Sequence, residues 1–223
     1  MKVPPTPPYT ALTINYPAIL VIGRCGVGKS TLCNWLSGYE GNDGIFEINS
    51  NQIKKNDECV PHILKIEKRW LNLIDAPGFF NPNENFRNES SIKKVSSIIR
   101  ECSYGVQAII LVIDRHDLYS FNNTLRVVKS FLGEEGLKNM IVAFTYCTKG
   151  QTENEGTLIL RENMKDLLTT VENRKFISPN PDIFTLNDDA VVKNMNIARM
   201  LINEIPSAYI TEMFNRNNEC CIN

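Results

Sequence analysis

The sequence predicts an α/β fold, a mostly parallel central sheet with helices on both faces. Two observations carry this. Short β-branched apolar runs alternate with stretches of helical periodicity along most of the 223 residues. A glycine-rich turn then joins the first apolar run to the first helix, the context of a phosphate-binding loop. A hydrophobic content of 43% with 22% charged residues fits a globular chain with a sizeable core. The net charge of -1 leaves no excess of cations to track a phosphate backbone, so no nucleic-acid partner is expected. The longest apolar run, Ala108 to Ile113, has the length of a buried strand and falls far short of a membrane span. Met1 to Pro5 shows no apolar signal region, and a cytoplasmic location is expected. The cysteines show no C-x-x-C pair and there are only two histidines, which excludes a zinc site.

Each element has its own signal. The first 17 residues hold five prolines and no periodicity, and read as a loose arm. Ala18 to Ile22 is a buried strand ended by Gly23, and a helix follows from Lys29 to Ser37, stopped at Gly38. Residues 39–61 are polar, with a short strand expected around Ile45 to Ile48. His62 to Glu67 and Trp70 to Asp75 form a strand pair joined tightly through Lys68 and Arg69. A loop rich in Pro, Phe and Asn runs to Asn88, and Ile92, Val95, Ile98 and Ile99 then define a helix over Ser90 to Cys102. Next come a strand at Gln107 to Asp114, a helix from Phe121 to Leu132 closed by Gly133, and a strand at Met140 to Cys147. A helix at Thr157 to Glu172, a short strand at Asp182 to Leu186 and a helix from Asp188 to Ile205, stopped by Pro206, complete the order. The domain is therefore placed at 18–206, between an arm at 1–17 and a tail at 207–223.

Gly23-Arg24-Cys25-Gly26-Val27-Gly28-Lys29-Ser30 matches G-x-x-x-x-G-K-[ST] at every fixed position, and Thr31 continues into the helix. Glycines let successive backbone N–H groups turn inward towards phosphate oxygens. The helix adds the partial positive charge of its N-terminus. Lys29 is placed to reach the β- and γ-phosphates, and the Ser30 hydroxyl to ligate Mg²⁺. A second signal is Trp70-Leu71-Asn72-Leu73-Ile74-Asp75-Ala76-Pro77-Gly78, an apolar strand that delivers Asp75 towards the same metal and Gly78 towards the γ-phosphate. D-x-x-G separates switch proteins from P-loop kinases.

With both motifs in place, the chain resembles the AIG1/GIMAP-type GTPases, relatives of the septins. The resemblance spans Ala18 to Ile205 and rests on three further stretches of sequence. These are Ala108 to Arg115, the helix ending Phe131-Leu132-Gly133, and Ile141-Val142-Ala143-Phe144-Thr145, where the fourth guanine-nucleotide motif begins. It implies a Rossmann-like G domain, GTP/GDP and Mg²⁺ as cofactors, slow hydrolysis of GTP, a homodimer or homo-oligomer in the GTP state, and work at membrane surfaces. It also places Arg115 where related enzymes bring an arginine near the nucleotide across a dimer; a solvated surface arginine is the other reading. The sequence departs from the family at Thr148, which stands where a base-reading Asp is expected. Tyr146 either stacks on the purine or is a structural tyrosine. Asn187 either meets the base edge or caps the last helix. Ser50 is the nearest hydroxyl to the expected first switch, and Phe79 and Phe80 follow Gly78 without a glutamine to orient water.

The last four residues, Cys220-Cys221-Ile222-Asn223, place Cys220 at the modified position of a C-a-a-X box, although Asn is outside the usual final residues. A lipid there would hold the protein to the cytoplasmic face of a membrane. The main expectation is a GTP-binding switch. Its alternatives are a nucleotide-binding scaffold without hydrolysis, a P-loop NTPase of relaxed base specificity and a small-molecule kinase.

Overall fold

A computed structural model describes residues 14–40, 44–48, 58–79, 89–116, 121–154, 160 and 162–205. Six strands form one sheet in the order β2-β3-β1-β4-β5-β6. They are β1 (Ala18–Gly23), β2 (Val60–Ile66), β3 (Arg69–Asp75), β4 (Val106–Asp114), β5 (Met140–Thr145) and β6 (Lys175–Ile177). Only β2 runs antiparallel, paired with β3 from Val60↔Asp75 to Ile66↔Arg69. All other pairings are parallel. The helices are α1 (Lys29–Ser37), α2 (Glu89–Glu101), α3 (Phe121–Leu137), α4 (Lys149–Glu153), α5 (Glu162–Thr170) and α6 (Asp189–Glu204).

Alternation along β1 shows why the sheet needs both layers. Leu20 and Ile22 join one core with Val95 and Ile99 of α2, Val128 of α3 and Leu167 of α5. Ile19 and Val21 face the other way, against Leu32, Trp35 and Leu36 of α1 and Val191, Met195 and Ile202 of α6. A strand buried on both faces must read as a continuous apolar run, and β1 does. At the edge away from the strands' carboxyl ends, the buried Gln107 side chain accepts from Arg69 at 2.6 Å and donates to the Ile205 carbonyl at 2.5 Å, tying the end of α6 to the sheet. No described helix is long and apolar enough to cross a membrane.

The structure bears out the α/β class and corrects several elements. Residues 44–48 form no strand. Instead the buried Asn34 of α1 offers its amide as a strand would, donating to the Phe46 carbonyl at 2.8 Å and accepting from Phe46 N–H at 2.9 Å. No strand lies at Asp182–Leu186 either. Ile183 and Phe184 N–H both turn back to the Asn180 carbonyl at 3.0 Å, and the sixth strand lies earlier, at Lys175–Ile177. The helix expected to close at Gly133 continues to Leu137 after a break there (φ 68°, ψ 179°). The helix expected from Thr157 starts, among described residues, at Glu162, and α4 was not foreseen. Most of the arm, Ser50, Phe80 and the tail with Cys220 and Cys221 lie outside the described residues.

Candidate functional site

Parallel strands bring their following loops to one edge of the sheet, the usual place for a ligand in such folds. The loop after β1 holds Gly23 to Gly28 and leads directly into α1, whose N-cap is Gly28 in the left-handed region (φ 90°). A side chain would be strained there, so the turn from strand to helix depends on glycine. Arg24 is half-buried, Cys25 and Gly26 are exposed, and Val27 packs into the core beneath the loop. Cys25 is a free thiol, as are Cys33, Cys59, Cys102 and Cys147.

Lys29 is the first helical residue and is 7% exposed. Its Nζ donates to the Arg24 carbonyl at 2.8 Å, arching the side chain back over the loop. Burial lowers its pKa, and the nearby Asp75 carboxylate works in the opposite direction. An ammonium held this dry favours an anionic ligand, which would replace the lost hydration. Ser30 follows, half-buried, and its Oγ donates to Asp75 Oδ2 at 2.5 Å. Asp75 ends β3 and is 1% exposed. A hydroxyl and a carboxylate meeting beside a phosphate loop are hard oxygen donors, the chemistry Mg²⁺ selects. The residues therefore fit that ion. Thr31 is half-buried one residue further along α1.

The D-x-P-G turn is fastened to the phosphate loop. Phe79 N–H donates to the Gly23 carbonyl at 3.0 Å and Cys25 N–H to the Phe79 carbonyl at 2.9 Å. At Gly78 a Cβ would lie 2.5 Å from Cys25 Cα and 2.6 Å from its nitrogen, so only glycine permits this approach. The Phe79 ring is fully buried.

The loop after β5 carries the base-side candidates. Tyr146 is 48% exposed, adopts φ 54°, and its hydroxyl donates to the Gly26 carbonyl at 2.8 Å. It braces the phosphate loop while leaving part of its ring uncovered. Thr148 caps α4: its Oγ1 accepts from Gln151 N–H at 3.4 Å, and Gln151 Oε1 accepts from Thr148 N–H at 2.9 Å. This capping box explains the residue's chemistry without a ligand. Asn187 lies in an exposed turn, one residue before the N-cap of α6, which is Asp188. Arg115 follows β4, with its N–H on the Thr145 carbonyl at 3.3 Å and its Nε against His116 Nε2 at 3.0 Å.

Three described residues of this region were not singled out from the sequence. Asn34 pins Phe46, as above. Glu40 Oε2 accepts from Leu186 N–H at 3.3 Å, linking the loop after α1 to the loop before α6. Asp182 lies in the β6–α6 loop, and only the correct placement of β6 shows that this loop leaves the sheet beside Tyr146.

A family model described as the AIG1 family matches residues 17–221. The chain belongs to the AIG1 family. Among curated proteins, this AIG1 chain is 29% identical over 134 residues to the probable GTP-binding protein EngB of Porphyromonas gingivalis, covering 60% of the chain and 61% of that protein. The match thus spans less than two thirds of the relative. Among solved structures, it resembles Toc33 from Arabidopsis thaliana. The dimerization-deficient arginine-to-alanine mutant gives a TM-score of 0.58 at 14% identity, covering 87% of each chain. The complex with Mg²⁺ and GMPPNP gives 0.57 at 14% identity, covering 88% of this chain and 89% of that one. At that identity the likeness concerns the fold.

Proposed function

We propose that this AIG1 protein is a GTP-binding switch that takes Mg²⁺ with its nucleotide and hydrolyses GTP slowly. The observation that carries this is the junction of buried Lys29 with the Ser30–Asp75 oxygen pair, 2.5 Å apart, at the mouth of a glycine loop. Mg²⁺ would be held by Ser30 and Asp75 and would offset charge on the phosphate oxygens. The loop's N–H groups, the α1 N-terminus and the Lys29 ammonium bind the phosphates. Gly78 N–H receives the terminal phosphate, and its attachment to the loop through Phe79 passes the presence of that phosphate to the segment beyond.

Slow turnover is supported by the residue after Gly78. Phe79 is buried and apolar, so it cannot orient an attacking water, and the chain offers no glutamine beside it. Self-association in the triphosphate state is supported by Arg115, half-buried just past the carboxyl end of β4, and by the Toc33 structures, one of which is a dimerization-deficient arginine mutant. A membrane surface, reached through a lipid on Cys220, belongs to the proposal on sequence grounds alone.

The test is calorimetric titration of nucleotide-stripped protein with GTP, GDP and ATP, with and without Mg²⁺. Tight, Mg²⁺-dependent binding of GTP and GDP is expected, followed by slow release of phosphate. Binding without any phosphate release would favour the scaffold reading. No binding of any nucleotide would refute the proposal.

A further inference from the structure

Base selectivity in such a site needs an acceptor for the two donors on guanine, N1–H and the exocyclic amine. A carboxylate meets both at once, whereas adenine presents an acceptor on the same edge and no amine beside it. Thr148 cannot serve, because its hydroxyl is turned into the capping box of α4, donating to Gln151 Oε1 at 3.1 Å. No other residue from Tyr146 to Lys149 carries a carboxylate. Resting on the guanine-nucleotide reading above, we propose that Asp182 supplies the missing acceptor from the neighbouring loop, while the Tyr146 ring packs against the base.

The placement follows from the sheet. β6 pairs with β5 in parallel, and Ser178 N–H extends the ladder to the Phe144 carbonyl at 2.8 Å, so both loops leave the same edge side by side. The β6–α6 loop then turns tightly. Asn180 Oδ1 accepts from Asp182 N–H at 3.0 Å, its carbonyl holds Ile183 and Phe184, and the Phe184 ring anchors the turn in the core. Asp182 is left exposed at the tip of a fixed turn, and its carboxylate enters no hydrogen bond or ion pair among the described residues.

Its field reaches the site. Burial raises the Tyr146 phenol pKa first, and the Asp114 and Asp182 carboxylates raise it further. Of those two acids, Asp114 is already engaged, accepting from His116 N–H at 2.8 Å. Asp182 has both carboxylate oxygens open to a ligand, whereas Asp114 already has one engaged.

The test is the Asp182→Asn variant of the full chain, competed against a fluorescent GTP analogue with GTP, ATP and XTP in the presence of Mg²⁺. Asn keeps the backbone N–H that makes the turn and removes only the anionic acceptor. The wild type should prefer GTP. In the variant, GTP affinity should fall at least tenfold, ATP should stay within about threefold, and XTP should gain on GTP, because its 2-oxo group accepts from the new amide. A variant with an unchanged GTP:ATP ratio overturns the assignment of Asp182. A wild type that binds GTP and ATP alike overturns it too, with the phosphate site intact. Failure of the wild type to bind any nucleotide refutes the guanine reading, and the assignment falls with it. A melting curve matching wild type confirms that the variant is folded.

Discussion

A tight constraint on the site is the contact between Gly78 and Cys25, and Gly78→Ala probes it directly. The new Cβ would sit 2.5 Å from Cys25 Cα, 2.6 Å from Cys25 N and 2.9 Å from Cys25 Cβ. Backbone atoms cannot rotate away as a flexible side chain would, so the two segments must separate by roughly 1 Å to restore ordinary contact distances. That separation strains both bonds between them, Phe79 N–H to Gly23 O and Cys25 N–H to Phe79 O. With each bond worth about 0.5–1.5 kcal/mol net, the variant should lose about 2 kcal/mol. For a domain of this size that is a fall of roughly 4–8 °C in Tm of the nucleotide-free protein. A second effect separates a functional contact from a packing one. If Gly78 N–H meets the terminal phosphate, displacing it costs a charge-assisted hydrogen bond that GDP never makes. GTP affinity should then fall roughly tenfold more than GDP affinity. Gly150→Ala on α4, where a Cβ meets nothing within 4 Å, is the control: it should leave the GTP:GDP ratio unchanged and should raise Tm slightly if it moves it at all, because Ala favours a helix over Gly. Thermal melts and paired GTP and GDP titrations decide the matter. Wild-type Tm together with an unchanged GTP:GDP ratio would refute the reasoning.

Three other predictions are independent of that one. Lys29 has a pKa lowered by burial, and bound phosphate should raise it again, so nucleotide affinity should be full below the free-state pKa and be lost as pH rises from there through the bound-state pKa. Titrations from pH 7 upward check this, and affinity that rises with pH would contradict it. Asn34→Ala removes both bonds to Phe46 and leaves its buried N–H and carbonyl without that amide, so urea unfolding should show a loss of about 2–3 kcal/mol. Thr148→Ala should cost about 1 kcal/mol as a lost N-cap and leave the GTP:ATP preference unchanged; a shift in preference would mean the hydroxyl reads the base after all.

The phosphate site was legible because backbone geometry dictates its residues. A left-handed N-cap at Gly28 and a Cβ-free approach at Gly78 leave one amino acid each, and a dry ammonium and a hydroxyl beside a strand-end carboxylate leave few more. β1 and β4, buried on both faces, announced themselves as unbroken apolar runs. β6 did not. Lys175-Phe176-Ile177 is three residues long at the sheet's edge, with Arg174 and Lys175 leading into it. The stronger-looking run Ile183 to Leu186 is a turn, in which Phe184 is buried and Ile183 is 45% exposed. No local pattern distinguishes the two, because the choice is made by pairing with β5. The same is true of Phe46. Its N–H and carbonyl find partners in the Asn34 side chain twelve positions earlier, a substitute for a strand that no periodicity encodes.

These two kinds of legibility bear on how the base is read. The phosphate grip is built from main-chain N–H groups, so its residues cannot move to another loop without losing the turn that forms the cradle. A carboxylate that reads a base has no such constraint. It needs only to reach the purine edge, and every loop at the carboxyl edge of β5 and β6 starts from the same place. Thr148 keeps the structural half of its position's work, capping α4 through Gln151, a role that an Asp there could also fill. Selection for the cap would then preserve an N-cap residue at 148 whether or not the base was read there. The base-reading carboxylate could lapse at 148 and stand at 182 with no change to the fold, because Asp182 makes its turn through its backbone N–H alone. On this account the double variant Thr148→Asp with Asp182→Asn should recover much of the GTP selectivity that Asp182→Asn loses, at near wild-type stability. Competition titrations of the single and double variants would show it, and a double variant no more selective than Asp182→Asn would mean that position 148 no longer faces the base.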